Sequence, residues 1–350
     1  MAQREKYHTC IIPSMKAWVV EEQKPIEENP LQLRDVPMPE PKGKEIRVKV
    51  THCGICRTDL HIAEGDIPLS KKPIIPGHEI VGIVDALGEN ARRFRTGDRV
   101  GISWLNSTCG KCKYCLRGDE NYCPEIRRTG YDVDGGFAEY VLVHEDYAFD
   151  LRDISLSSED LAPIMCPGIT GHYAFRISEI KEGEKLGMLG FGPTAYYILR
   201  VAKSMGMEVY ISTRSEEHKK IAIKYGADWV GNIAKENFPD KVDAFIFFPT
   251  AGNLVERALE NTLPAGTLVL GAVTMSPITI SNYSSNLWGR KIKTIYQVRR
   301  DFGNEFLRIA DELNLTIEKE MVRFEDVPEA MKRLKRGDVK GMVQVIEFVE

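Results

Sequence analysis

Four cysteines crowd into the stretch CGKCKYCLRGDENYC, at positions 109, 112, 115 and 123. Steps of three, three and eight put thiolates on one side of a tight loop, and the last returns after a short excursion. Four thiolates complete a tetrahedral shell and leave no open position, so a zinc ion held by Cys109, Cys112, Cys115 and Cys123 is structural. The intervening KYCLRGDEN is polar and turn-rich, too poor in apolar residues for a core of its own. Metal binding takes the place of a core in such a lobe. A nucleic-acid zinc finger fits less well. The lobe sets Lys111, Lys113 and Arg117 against two acidic residues, the formal net charge of the chain is −4, and no Lys/Arg run exceeds two residues.

The compartment supports the metal reading over disulfides. The N-terminal MAQREKYHTCIIPSMK lacks the apolar core of a secretory signal, and no uninterrupted apolar stretch approaches membrane-spanning length. A cytoplasmic protein is expected, with neither nucleic acid nor membrane as its partner. In that setting the eight cysteines serve as metal ligands or thiols. At 350 residues, with 43% hydrophobic and 28% charged residues, the chain has room for about two ordered domains.

The second cysteine group is THCGICRTDLH, residues 51–61. It comes after EIRVKV, which alternates apolar and polar residues like a half-buried strand. The reading therefore places Cys53, Cys56, Arg57, Thr58, Asp59 and His61 in the loop after a strand end. PGHEIVGIVDALG offers His78 and Glu79 in a Gly-flanked turn before another strand, and SSEDLAPIMCPGIT carries Cys166 about two turns beyond a helix cap at Ser157 or Ser158. A Cys-x-x-Cys pair can be a redox disulfide, half of a zinc knot or part of a catalytic metal site. From the residues alone all three stay open.

Together, CGICRTDLH, PGHEIVG, the four-cysteine lobe, YDVDGGFAEYV and LAPIMCPGIT resemble, in order and spacing, the zinc-dependent medium-chain alcohol dehydrogenases. The resemblance runs from about Met15 to the C-terminus. It implies a catalytic zinc held by Cys56, His78 and Cys166, with Cys53 a neighbour and not a redox partner. It also implies that Arg57 contacts the cofactor pyrophosphate and that Thr58 hydrogen-bonds the substrate oxygen. Asp59 would orient His78, and His61 would accept the proton by way of the cofactor ribose. Glu79 would sit close behind the zinc, Thr170 would pack on the nicotinamide, and Trp104 matches a bulky pocket residue of fungal members that favour small linear alcohols.

KLGMLGFGPTAYYILRVAKSMGMEVYISTRSEE reads strand, Gly-rich turn, helix, strand. Gly190, Gly192, Pro193, Thr194 and Ala195 lie in a G-x-G-x-x-A turn, the form of a dinucleotide fingerprint. The alternation continues through VDAFIFFP, NLVERALENT, GTLVLGAV and KIKTIY, which implies a doubly wound parallel sheet. The expected fold is α/β. The resemblance further implies a GroES-like catalytic domain with an irregular β-barrel over 1–166 and 298–350, carrying the zinc lobe at about 105–125. A Rossmann domain that binds NAD(P) spans 167–297.

At the end of the second strand, where NAD enzymes carry an acidic residue, this chain has Thr213, Arg214 and Ser215. That favours NADP over NAD and resembles the cinnamyl-alcohol-type members, although Glu216 or Glu217 from the next helix offers an alternative ribose contact. One departure is Met342, where the family often has a cofactor-contacting Arg; Lys340 is the nearby substitute. The expected activity is reversible oxidation of a primary alcohol to an aldehyde with NADP or NAD, two zinc ions per subunit, and a homodimer or homotetramer. A polyol dehydrogenase is disfavoured by Cys166, since that branch usually has Glu there. A non-catalytic NADPH-binding zinc protein is disfavoured by the intact ligands with Thr58 and His61.

Overall fold

The computed structural model describes residues 13–296 and 298–348. Cys10 and the rest of the N-terminal segment lie outside the described residues. Six parallel strands build one sheet: Lys185–Leu189, Glu208–Ser212, Trp229–Gly231, Val242–Phe247, Thr262–Leu270 and Lys291–Thr294. Their spatial order is third, second, first, fourth, fifth, sixth. That is the doubly wound order of dinucleotide-binding sheets, with the switch point between the first and fourth strands. Parallel strands covered on both faces need nearly continuous apolar runs. Val209, Ile211, Ala244, Phe245, Ile246, Phe247, Leu268 and Val269 supply them, all buried.

The rest of the chain folds around a seven-stranded mixed sheet. Its central strand, Glu45–Ile55, pairs antiparallel with Glu79–Leu87, with Tyr140–His144 and with the last strand, Val343–Glu347. The C-terminal tail thus returns to the N-terminal part, with Ile346 opposite Cys53 and Gln344 opposite Ile55. An edge strand, Lys319–Arg323, runs parallel to Val343–Glu347. Among the described residues no helix is long and apolar enough to cross a membrane.

Two local readings need correction. Cys53 and Gly54 lie inside the strand Glu45–Ile55, and Arg57, Thr58, Asp59 and His61 lie on the helix Arg57–Glu64, not in a loop. The helix starts there because the Asp59 carboxylate accepts the backbone N–H of Cys56 at 2.9 Å, the N3-to-N-cap half of a capping box. The segment carrying Cys166 begins as expected with Ser157, whose Oγ caps the helix Ser158–Pro163. Past Pro163 the chain turns into a π-helical stretch, Ile164–Gly168, before the helix Ile169–Ile177. Pro167 has no N–H for the α-helical ladder, which accounts for the widened turn at Cys166.

Candidate active site

Cys56, His78, Glu79 and Cys166 come together at the end of the central strand. Their ligating atoms all lie within 4.8 Å of one another. Each comes from a different piece of local structure: a helix cap, the residue before the strand Glu79–Leu87, that strand's first residue, and the π-helical turn. Asp59 ties the group together. One of its oxygens accepts the N–H of Cys56, and the other accepts His78 Nδ1 at 3.0 Å and the N–H of Gly77 at 3.1 Å. Asp59 is fully buried and His78 nearly so. With Nδ1 committed to Asp59, the other ring nitrogen faces the Cys56 sulfur.

The electrostatics of this cluster are those of a metal-binding donor set. Hydrogen bonding from Cys166, joined by His78, holds the Cys56 thiol well below its ordinary range despite burial. The same bond to Cys56, together with burial, pushes Cys166 well up. Burial and the nearby Cys56 charge raise Glu79. Two sulfurs, one imidazole fixed by a carboxylate, and a buried carboxyl group fit zinc in kind and number. The pair partner Cys53 is buried, and burial pushes its thiol well up. Inert thiols have that profile.

Glu79 fits only because residue 54 is glycine: a Cβ there would lie 2.0 Å from Glu79 Oε2. Nothing in the sequence marks Gly54, since the clash arises across the ladder, where Gly54 pairs with Glu79. Trp104 presents its ring at 79° to the His78 imidazole, with centroids 5.0 Å apart. Tyr131, the first residue of the YDVDGGFAEYV stretch, stacks on Trp104 at 5.9 Å and 22°. It is fixed by a hydroxyl bond to Pro68 O and by Arg128 over its ring. Two surface cavities, of about 440 and 550 Å³, touch neither the Cys56 cluster nor Trp104.

The second group that could hold a metal ion is Cys109, Cys112, Cys115 and Cys123, four sulfurs within 4.8 Å. Backbone N–H bonding, first from Cys115, lowers Cys112 to about 7, and burial raises Cys123 to about 12. The short helix Lys113–Leu116 has no buried residue. The lobe docks instead through Glu120, which pairs with Arg300 at 2.9 Å, and Asn121, which donates to Tyr296 O at 2.8 Å.

The glycine turn closes the first strand of the parallel sheet. Gly190 has φ +87° and donates its N–H to Ser212 O at 2.9 Å, so the turn lies beside the end of the second strand. Gly192 caps the helix Pro193–Ser204, whose first internal bond runs from Tyr196 N–H to Gly192 O. Amides before Tyr196 are left without helical partners, the usual setting for a phosphate. Gly171 abuts Thr194 O, which brings Thr170 to the same turn. Beyond Ser212, Thr213 is buried, Arg214 is exposed, and Ser215 Oγ caps the helix Glu216–Lys224 by accepting His218 N–H at 3.2 Å. Glu216 pairs with Lys219, pointing along its own helix. Arg57 and Arg214 have no hydrogen-bond or ion-pair partner among the described residues. Met342 packs on the core, and Lys340 lines the larger surface cavity with Glu320, Arg323 and Arg333; no glycine-turn residue lines it.

Comparison with known proteins agrees with this architecture. Residues 42–153 match the alcohol dehydrogenase GroES-like domain. The chain is 36% identical over 334 residues to a probable alcohol dehydrogenase of Mycobacterium tuberculosis, covering 94% of this chain and 96% of that one. It is 36% identical over 339 residues to an alcohol dehydrogenase of Geobacillus stearothermophilus, covering 94% and 98%. Among solved structures, a cinnamyl alcohol dehydrogenase of Sorghum bicolor matches with a TM-score of 0.84 at 25% identity, covering 96% of this chain and 98% of that one. With relatives of this likeness along almost its whole length, the chain belongs to the zinc-dependent medium-chain alcohol dehydrogenase family.

Proposed function

We propose that this protein is a zinc-dependent alcohol dehydrogenase that interconverts a primary alcohol and an aldehyde and favours NADP(H). The observation that carries the reading is the Cys56–His78–Cys166 group held by Asp59 and approached edge-on by Trp104. The names of the relatives support the activity. When bound, zinc supplies Lewis acidity toward the alcohol oxygen and the nicotinamide cofactor supplies a hydride acceptor.

The chain's own residues do the rest. Cys56, His78 and Cys166 hold the metal, and Asp59 fixes the imidazole and the helix start. Thr58 and His61 are three residues apart on the helix Arg57–Glu64 and share a face. Thr58 accepts and passes on the hydroxyl proton, and His61, partly exposed, hands it to solvent. Trp104 and Tyr131 make an apolar wall that excludes water and suits a slender substrate. Thr170, Gly190, Gly192, Pro193 and Thr194 receive the dinucleotide, Arg57 its pyrophosphate, and Thr213, Arg214 and Ser215 its ribose end. The cleft lies between a catalytic domain, 1–166 with 298–350, and a cofactor domain, 167–297. The Cys109–Cys123 lobe holds the second zinc.

An alcohol and aldehyde panel run with NADPH and NADH, alongside metal analysis, tests this reading. Two zinc ions per chain and turnover of primary alcohols are the expected result. Metal-free purified protein, or full turnover after chelation, would overturn it.

A further inference from the structure

One sulfur of the four-cysteine lobe is tied to the body of the protein by a pair of hydroxyls. Thr108 follows the strand Leu105–Ser107, and its Oγ1 lies 3.2 Å from Cys115 Sγ. The same oxygen lies 2.5 Å from the Tyr147 hydroxyl. Tyr147 closes the 3₁₀ turn Glu145–Tyr147, which follows the strand Tyr140–His144. Asn106 Nδ2 donates to Leu142 O at 3.0 Å and holds the two segments side by side. The Tyr147 ring is buried, with the Arg300 guanidinium 4.2 Å from its centre and the His144 ring edge-on at 5.6 Å. We propose that Thr108 and Tyr147 are positioning residues for the lobe metal, a directed pair in which Tyr147 donates to Thr108 and Thr108 donates to the Cys115 thiolate. The proposal rests on the reading of Cys109, Cys112, Cys115 and Cys123 as a zinc shell.

Hydrogen counting sets the direction. A metal-binding thiolate has no hydrogen and only accepts. Thr108 has one hydroxyl hydrogen, and giving it to sulfur leaves its oxygen an acceptor. Tyr147 is protonated at neutral pH, so its own hydrogen goes to that oxygen. With a protonated thiol at Cys115 the pair can also run the other way, and metal loading removes that freedom. The neighbouring sulfurs are served differently. Backbone N–H groups of Cys115 and Tyr114 face Cys112 Sγ, and Cys109 N–H donates to Cys123 Sγ at 3.5 Å. Those donors belong to the lobe and move with it. Tyr147 belongs to a segment that Arg300 also grips, through Asp146 O at 2.8 Å. Four thiolates around a divalent ion leave a net negative charge, and a donor aimed at one sulfur disperses part of it. Without that donor the sulfur is more basic, and a protonated thiol is no longer a ligand.

The test uses the full-length protein with both sites loaded, with zinc for release kinetics and with cadmium-113 for resonance. The lobe resonance is the one that survives Cys56→Ala. It should move in Thr108→Val, move the same way by less in Tyr147→Phe, and stay in place in Thr108→Ser. Release of the lobe zinc to a chelator should be about tenfold faster in Thr108→Val and about threefold faster in Tyr147→Phe. Tyr147→Phe should add nothing in the Thr108→Val background, and release from the Cys56 site should keep its wild-type rate throughout. An unmoved resonance with unchanged release in either variant overturns the proposal, so each decides alone if the other fails to fold. A Tyr147→Phe effect that persists in full without the Thr108 hydroxyl also overturns it. A wild type with one metal ion per chain, at the Cys56 site, removes the zinc shell and the proposal with it. Two ions per chain with an unmoved resonance remove the hydroxyl pair alone.

Discussion

Asp59 and His78 meet at 3.0 Å inside the protein, and the same carboxylate also accepts the N–H of Cys56. One fully buried side chain therefore sets both the imidazole orientation and the helix cap that presents the first sulfur. Asp59→Asn should weaken zinc binding at this site by about 10- to 100-fold, as loss of such an orienting partner does elsewhere. Chelator competition followed by metal analysis measures this. An affinity unchanged within twofold would mean that His78 keeps its orientation without Asp59.

The two metal groups should fail in different ways. Cys112 sits in a lobe whose short helix buries nothing, held to the body through Glu120 and Asn121. Cys112→Ser opens a closed shell and should lower the Tm by on the order of 5 °C or more. It should also expose Lys111, Lys113 and Arg117 to trypsin. Cys56 borders a well-packed sheet, so Cys56→Ala should abolish turnover with a Tm shift of about 2 °C or less. Calorimetry showing equal losses in the two variants would contradict this division of roles.

Trp104 and Tyr131 share a stacked pair beside His78, which makes them one wall rather than two contacts. Trp104→Ala should raise kcat/KM for bulky alcohols relative to ethanol by about tenfold, the scale of a few methylene-sized contacts in a pocket. Tyr131→Ala should move the ratio the same way by freeing the indole. Tyr131→Phe, which keeps the stack and loses only the bond to Pro68, should move it little. A ratio unchanged in Trp104→Ala would take this wall out of the substrate pocket.

Much of this is legible in the sequence because spacing carries it. The four sulfurs of the lobe are close in the chain, so their closure is a local matter. The glycine turn is readable because strand and helix patterns flank it. Cys56, His78 and Cys166 are scattered, and residue patterns alone leave their joint role open; the family resemblance brings them together. What stays hidden depends on contacts the chain does not encode locally. Arg57–Glu64 reads as a loop because its cap is a cysteine and not one of the usual oxygen-bearing residues. Gly54 matters only across a strand pair. Tyr131 reaches Trp104 because Thr129 N–H bonds Trp104 O at 2.8 Å, a pairing no period announces.

We propose that cofactor choice turns on the residues just past the second strand of the parallel sheet. The Gly190 N–H bond to Ser212 O sets the glycine turn next to Thr213, Arg214 and Ser215. No carboxylate occupies 213–215 to repel a 2′-phosphate, and Glu216 is engaged by Lys219. Arg214 is exposed and has no partner among the described residues, so its guanidinium is free to bind an anion without breaking an existing bond. Ser215 already accepts His218 N–H with its oxygen but keeps its own hydrogen to donate. A charge-assisted hydrogen bond contributes roughly 1.5–3 kcal/mol, or about one to two decades in affinity. Arg214→Ala should lower kcat/KM for NADPH by that order, almost wholly through KM, and leave NADH nearly untouched. Raising the ionic strength should weaken NADPH binding more than NADH binding in the wild type and equalise the two in the variant. A wild type that already works better with NADH would show that Arg214 does not serve a 2′-phosphate and that the ribose is held by other groups at this strand end.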